Sequence, residues 1–277
     1  MQGIYIHIPF CQQACHYCDF HFSTLLKYKE PFVKALIKEI ELSPELTGQE
    51  ITTLYFGGGT PSVLSESELT EILTAIKGKV KFSESIEITL ECNPEDISES
   101  RLQFYKALGV NRLSLGVQSF HEKLLQLSNR AHSSEQSLTS VRLIKKAGFV
   151  NFSADLIYGL PQSNLHILKS DLKTLTEMGV PHISVYGMTF EQGTVFGKWL
   201  KKGKIQGVEE DLEAEMFEYI MDYLDEKGYV QYEISNFGKP EFFSRHNSSY
   251  WWGKPYLGLG PGAHSFDGVS RSKSVPD

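Results

Sequence analysis

Three of the four cysteines in this chain fall within eight residues, at Cys11, Cys15 and Cys18. The C-x3-C-x2-C spacing lets one loop wrap three thiolates around a single centre. A structural zinc site is closed by four ligands, and His16 or His21 can supply the fourth. An iron–sulfur carrier also takes four thiolates. Three thiolates on a four-iron cluster leave one iron open, and an open metal position is what catalysis uses. Cys92 stands alone. The spacing therefore leaves an open cluster, a zinc loop and unrelated buried cysteines as alternatives.

Other chemistry-bearing residues are scattered. Gly57-Gly58-Gly59-Thr60-Pro61 presents backbone without Cβ atoms, which permits close approach of a ligand or a tight turn. It is neither a dinucleotide fingerprint nor a phosphate loop. Glu91 can hold a ribose hydroxyl or face solvent. Gln118 and Arg130 follow the next apolar run. Asp155 lies inside the apolar stretch FSADLIYGLP, where a lone carboxylate is costly without a partner, so an ion pair with Arg or Lys is expected. His246 stands beside Tyr250, Trp251, Trp252 and Tyr256. A neutral imidazole can ligate heme iron and the aromatic rings offer flat faces. Spacing alone favours a satisfied loop histidine among core aromatics.

These residues need elements to place them. Periodicity predicts strands over 3–8, 52–56, 86–91, 112–117, 152–158 and 182–186. Helices are expected over 29–42, 66–79, 98–108, 134–146, 165–178 and 209–227. Ser65 and Glu68 form a capping box. Gly109, Gly148, Gly179 and Gly228 stop helices. Six strands alternating with six helical stretches predict an α/β fold with a parallel sheet. An eight-unit barrel takes about 250 residues, so an incomplete (βα)6 barrel over residues 1–228 is the better fit. Residues 229–277 form an aromatic and glycine-rich extension expected to be irregular and to pack on the barrel. The last ten residues, GVSRSKSVPD, read as loop or tail. Most candidate residues fall at the C-terminal ends of strands, where parallel barrels build their sites.

The whole chain has 277 residues, 27 Lys and Arg against 34 Asp and Glu, and a net charge of −7. That balance argues against a nucleic-acid-coating protein. The start MQGIYIHIPFC lacks a signal-peptide pattern, and no run approaches the about 18 apolar residues of a membrane span. The expected compartment is the reducing cytoplasm, where clustered cysteines are metal ligands or redox groups.

YIHIPFCQQACHYCDF resembles the signature of the radical S-adenosylmethionine (SAM) enzymes. The resemblance implies a 4Fe–4S cluster on Cys11, Cys15 and Cys18, with SAM chelated at the open iron and cleaved to a 5′-deoxyadenosyl radical. It implies that Tyr17 lies by the adenine and Tyr5 near SAM, and that Gly58, Gly59 and Thr60 contact the SAM amino group. The ordered series GGGTP, ECNP, GVQS, NR and DLIYGLP is similar to the subfamily of the oxygen-independent coproporphyrinogen III oxidases. There the residues matching Glu91, Gln118, Arg130 and Asp155 line one SAM site or a second one.

One position divides the subfamily. The oxidases extend the motif to C-x3-C-x2-C-x-C, whereas Phe20 stands here in place of a fourth cysteine. The CDF form, with His246-Asn247-Ser248-Ser249-Tyr250-Trp251 as H-N-x-x-Y-W, resembles the HemW-type heme chaperones. That resemblance implies heme at His246, with His264 a second candidate ligand. It also implies delivery to respiratory acceptor proteins at the cytoplasmic membrane, and an unidentified electron donor. Gly258 to Ser265 is expected as a loop closing the barrel side. The subfamily carries a further C-terminal domain, and the expectation is that this chain lacks it. No residue is singled out as catalytic. The competing expectations are decarboxylation of coproporphyrinogen III propionates and a zinc-stabilised binding protein.

Overall fold

The computed structural model describes residues 2–276. Six strands lie side by side in parallel: β1 (Gly3–Ile8), β2 (Glu50–Gly58), β3 (Lys81–Cys92), β4 (Arg112–Gln118), β5 (Phe152–Tyr158) and β6 (His182–Gly187). The connections carry α1 (Lys29–Leu42), α2 (Glu66–Lys77), α3 (Glu99–Leu108), α4 (Glu122–Leu127), α5 (Ser134–Lys146) and α6 (Leu165–Glu177). After β6 come α7 (Val195–Lys201) and α8 (Glu210–Glu226). Among the described residues the sheet does not close. This is the open parallel α/β architecture that the alternating pattern predicts.

Residues 229–276 hold more regular structure than their composition predicts. β7 (Val230–Gln231) and β8 (Asn236–Gly238) extend the β6 side in antiparallel pairing. After α9 (Arg245–Trp251), β9 (Tyr256–Leu259) pairs in parallel with β1. β10 (His264–Phe266) and β11 (Arg271–Lys273) follow in antiparallel pairing. The final order is β11-β10-β9-β1-β2-β3-β4-β5-β6-β8-β7. The expected closing loop at 258–265 is thus in part sheet, and part of the expected tail is an edge strand. Backbone pairing, which composition does not report, orders both.

The strands alternate by face, as a period of two requires. One face presents three in-register rows, Ile4, Leu54 and Ile88, then Leu90, Leu113 and Phe152, then Leu115, Ala154 and Ile183. These side chains are buried in one apolar core with Leu36, Ile72, Leu102, Val141 and Leu172 of the helices. Each such leucine, isoleucine, valine or phenylalanine contributes about 1.5–3 kcal/mol by leaving water. The opposite face is polar: Tyr5 and Tyr55, Thr89 and Arg112, then Glu91, Ser114, Ser153 and His182 follow one another across the strands. That face of the open sheet is therefore a polar wall, and the site stands on it.

Local signals set the helix positions. Ser65 and Glu68 form the expected capping box on α2, and Ser133 with Gln136 forms another on α5. Gly109 adopts φ 99° where it ends α3, a conformation that a Cβ penalises.

Candidate cofactor site

A cavity of about 590 Å³ opens at the C-terminal ends of the parallel strands. Cys11, Cys15, Tyr17 and Cys18 line it from the loop after β1. Gly58, Gly59 and Thr60 border it from the end of β2, Glu91 from β3, Gln118 from β4 and Asp155 from β5. Arg130 enters from the segment after α4. Eleven of the thirteen residues singled out from sequence thus meet around one space; Tyr5 and His246 are not among its walls.

The cysteine loop is held by segments that periodicity did not reveal. The His16 N–H donates to the Ser128 carbonyl at 3.0 Å, and the Phe196 N–H donates to the His16 carbonyl at 2.9 Å. Asn129 has φ 56°, and its Nδ2 donates to the Ala14 carbonyl at 2.7 Å while its Oδ1 accepts from Gln13 Nε2 at 2.8 Å. The short helices α4 and α7 therefore act as clamps on the loop. Their sequences, EKLLQL and VFGKWLK, are too short for a helical period to stand out.

Arg130 is the hub. Its guanidinium donates to Asn93 Oδ1 at 2.7 Å, the Gly116 carbonyl at 2.8 Å, Tyr17 OH at 3.3 Å and Cys15 Sγ at 3.4 Å. The Thr60 hydroxyl donates to Cys11 Sγ at 3.4 Å and accepts from Asn93 Nδ2 at 3.2 Å. Asn93 was not a sequence candidate. Its position two residues beyond Glu91 at the end of β3 was the available signal.

The three thiols border one cavity and are all partly exposed, whereas Cys92 is buried. Among the described residues no three His, Cys, Asp or Glu side chains converge on a single ion. Three thiols on one cavity fit the cysteine set of a cluster, in which each would bind a separate iron. Burial pushes the Cys11 thiol up and the Cys18 thiol up to about 11. Metal binding at these thiols must then release protons.

The glycine segment serves the chain itself. Gly58 has φ 106°, and a Cβ there would meet the His7 ring at 2.6 Å. A Cβ on Gly59 would stand 2.7 Å from the Phe10 carbonyl oxygen. The turn folds back along the loop after β1, with Thr60 N–H donating to that carbonyl at 2.7 Å. Close approach is between two stretches of backbone.

Two carboxylates stand on the cavity wall. Glu91 accepts from Tyr55 OH at 2.7 Å and from the Gly58 N–H at 3.2 Å. Burial raises its pKa to about 7, against the pull of the Tyr55 hydroxyl, with the Asp155 charge adding to the rise. Asp155 accepts from the Ser114 hydroxyl at 3.1 Å to one oxygen and 3.3 Å to the other. The expected cation is absent from its hydrogen bonds. Hydroxyls hold the carboxylate instead, and burial raises its pKa.

His246, expected as a heme ligand, is buried in this structure. It is 1% exposed. Its Nδ1 lies 2.9 Å from Thr53 Oγ1 and its Nε2 lies 2.7 Å from Tyr250 OH. Both nitrogens are engaged, so neither has a lone pair free for iron. Burial, and secondarily the Arg112 charge, lower its pKa to about 3. Tyr5 stacks on Tyr55 at 6.0 Å between centroids and lies beneath the cavity wall. His264 is exposed on β10. No helix among the described residues is long and apolar enough to cross a membrane.

An open parallel sheet with three thiols at its strand ends defines a class, and comparison agrees. The radical SAM superfamily model matches residues 5–175; the chain belongs to that superfamily. The Escherichia coli coproporphyrinogen III oxidase, a radical SAM enzyme, superposes with a TM-score of 0.87 at 24% identity. That match covers 100% of this chain and 67% of the oxidase chain, and it speaks to fold alone. The heme chaperone HemW of Lactococcus lactis is 41% identical over 274 residues, 98% of this chain and 71% of that protein. HemW of Bacillus subtilis is 39% identical, over 99% of this chain and 73% of its own length. Within the superfamily, the chain belongs to the HemW family.

Proposed function

We propose that this chain is a heme chaperone that carries a 4Fe–4S cluster and binds SAM, delivering heme to respiratory enzymes. The observation that carries the reading is the 41% identity to a heme chaperone across 98% of this chain. Cys11, Cys15 and Cys18 are the thiolates for the cluster. Such a group supplies an electron and an open iron for the amino and carboxylate groups of SAM. The protein's own part is positioning and charge. Arg130 donates toward Cys15 and Tyr17 at once, so it fixes the loop and offsets thiolate charge. Tyr17 and the Gly58 to Thr60 turn border the space in which the nucleoside lies. Glu91 and Asp155 accept from its hydroxyl or ammonium groups, and Gln118 faces the same space.

Heme is the cargo. The exposed rings Trp251 and Trp252, 60% and 65% accessible, give a flat apolar landing face beside His246. Ligation by His246 needs α9 to leave its seat. The test is titration with hemin of the wild type and of His246→Ala, together with iron and sulfide analysis of anaerobically prepared protein. A Soret band that depends on His246 and about four irons per chain support the reading. An unchanged hemin isotherm in His246→Ala removes the ligand assignment. Decarboxylated product from coproporphyrinogen III and SAM would make the chain an oxidase instead.

A further inference from the structure

His246 stands outside the cofactor cavity, yet one side chain separates it from the wall. The ring of His246 stacks on Tyr55, with centroids 4.9 Å apart and planes at 27°. The Tyr55 hydroxyl donates to Glu91, and the second Glu91 oxygen accepts from Gly58. On its other bonds, His246 is tied to β2 through Thr53 and to its own helix through Tyr250. The backbone N–H of His246 donates to Glu87 Oε1 at 3.0 Å, and that of Arg245 to Glu87 Oε2 at 3.2 Å. Thr53 and Glu87 are register partners on β2 and β3. The start of α9 is thereby seated on the polar wall, and its histidine props the tyrosine that holds Glu91.

We infer that His246 is a positioning residue for the cofactor cavity, its ring holding the Tyr55 hydroxyl on Glu91. The inference rests on the reading of the cavity as a SAM site and deepens it. Burial keeps the imidazole neutral, so it is a flat uncharged platform throughout the working pH range. Tyr5 stacks near both rings, at 6.0 Å from Tyr55 and 6.5 Å from His246. With His246 gone, Tyr55 faces a void and gains freedom to turn its hydroxyl away. A histidine that moves to bind iron vacates the same place. SAM at Glu91 favours the seated helix, and heme at His246 favours the unseated one. Two ligands that prefer different states of one element weaken each other by equal factors.

The experiment measures SAM affinity by equilibrium dialysis on the anaerobically reconstituted full chain. Tyr55→Phe deletes one hydrogen bond to a carboxylate and is expected to weaken SAM binding about tenfold. His246→Ala is expected to lose a comparable factor, and the double variant no more than the larger single loss, because both act through one contact. His246→Phe restores a flat ring without imidazole nitrogens; it is expected to recover SAM affinity while remaining unable to ligate iron. A folded His246→Ala with wild-type SAM affinity overturns the inference, as do losses that multiply in the double variant. If His246→Ala does not fold, His246→Phe against Tyr55→Phe decides: equal losses overturn it. In the wild type, hemin is expected to weaken SAM binding and to have no effect in His246→Phe. Absence of any SAM binding to the wild type would instead defeat the underlying reading of the cavity.

Discussion

Replacing Glu91 with Gln tests the electrostatics of the cavity wall. Glu91 carries a pKa raised from 4.5 to about 7, chiefly by burial. In the unfolded chain the carboxyl ionises near 4.5, so at neutral pH the fold holds a charge that water would accommodate better. A raised carboxylate pKa contributes stability below pH about 4.5 and loses it as pH rises through about 7. Linkage between these two values gives a loss of about 2.5 kcal/mol between pH 5 and pH 8. Glu91→Gln does not titrate. Its amide oxygen can still accept from the Gly58 N–H while its NH2 donates to the Tyr55 hydroxyl oxygen, and any cost of that exchange is the same at every pH. The difference in stability between the two proteins is therefore expected to change by about 2.5 kcal/mol over this range. At about 2.1 cal/mol/K per residue, that is about 4 °C in Tm for a chain of this size. The assay is thermal unfolding of both proteins in parallel without SAM, which cancels the titrating groups that are not coupled to Glu91. A constant difference from pH 5 to 8 would refute the assignment of a raised, pH-active carboxyl to Glu91.

Other expectations concern single contacts. Cys11→Ala, Cys15→Ala and Cys18→Ala should each lose the iron measured after anaerobic reconstitution, whereas Cys92→Ala should keep it, since Cys92 is buried and its thiol donates to the Leu90 carbonyl. Full iron content in any of the first three would show the ligand set to be wrong. Gly59→Ala should abolish SAM binding or folding, because its Cβ meets backbone that cannot move aside; wild-type affinity there would contradict the turn geometry. Asp171 accepts from the Ser119 hydroxyl at 2.6 Å and the Phe120 N–H at 3.0 Å. Asp171→Ala leaves both donors buried and should cost about 2–4 kcal/mol in urea unfolding. A loss under 1 kcal/mol would mean water replaces the carboxylate.

The long elements were legible because their cause is local. The apolar spacing of 29–42 and 134–146 and the capping box at Ser65 match α1, α5 and the start of α2. The strand ends were legible too, since a parallel sheet puts the residues that follow each strand on one rim. Clamps and plugs were not. α9 has the sequence RHNSSYW, poor in strong helix formers, and it exists because Ser244 caps it and Glu87 receives its first N–H groups. Glu87 is more than 150 residues away in sequence. His246 shows the cost of this gap. Spacing alone described a satisfied histidine among aromatics, and the fold agrees with that description of its resting position.

The open sheet has one further consequence, for how the molecule avoids its own copies. A closed barrel has no free strand edge, but among the described residues this sheet ends at β11 on one side and β7 on the other. Unpaired edges invite edge-to-edge addition of a second chain. Both terminal strands are two or three residues long. β11 is fully exposed and carries Arg271 and Lys273, so a neighbouring copy meets two positive charges and almost no ladder to extend. The short strands of the extension thus work as hems: among the described residues they border the sheet on either side with little ladder for a second copy to extend.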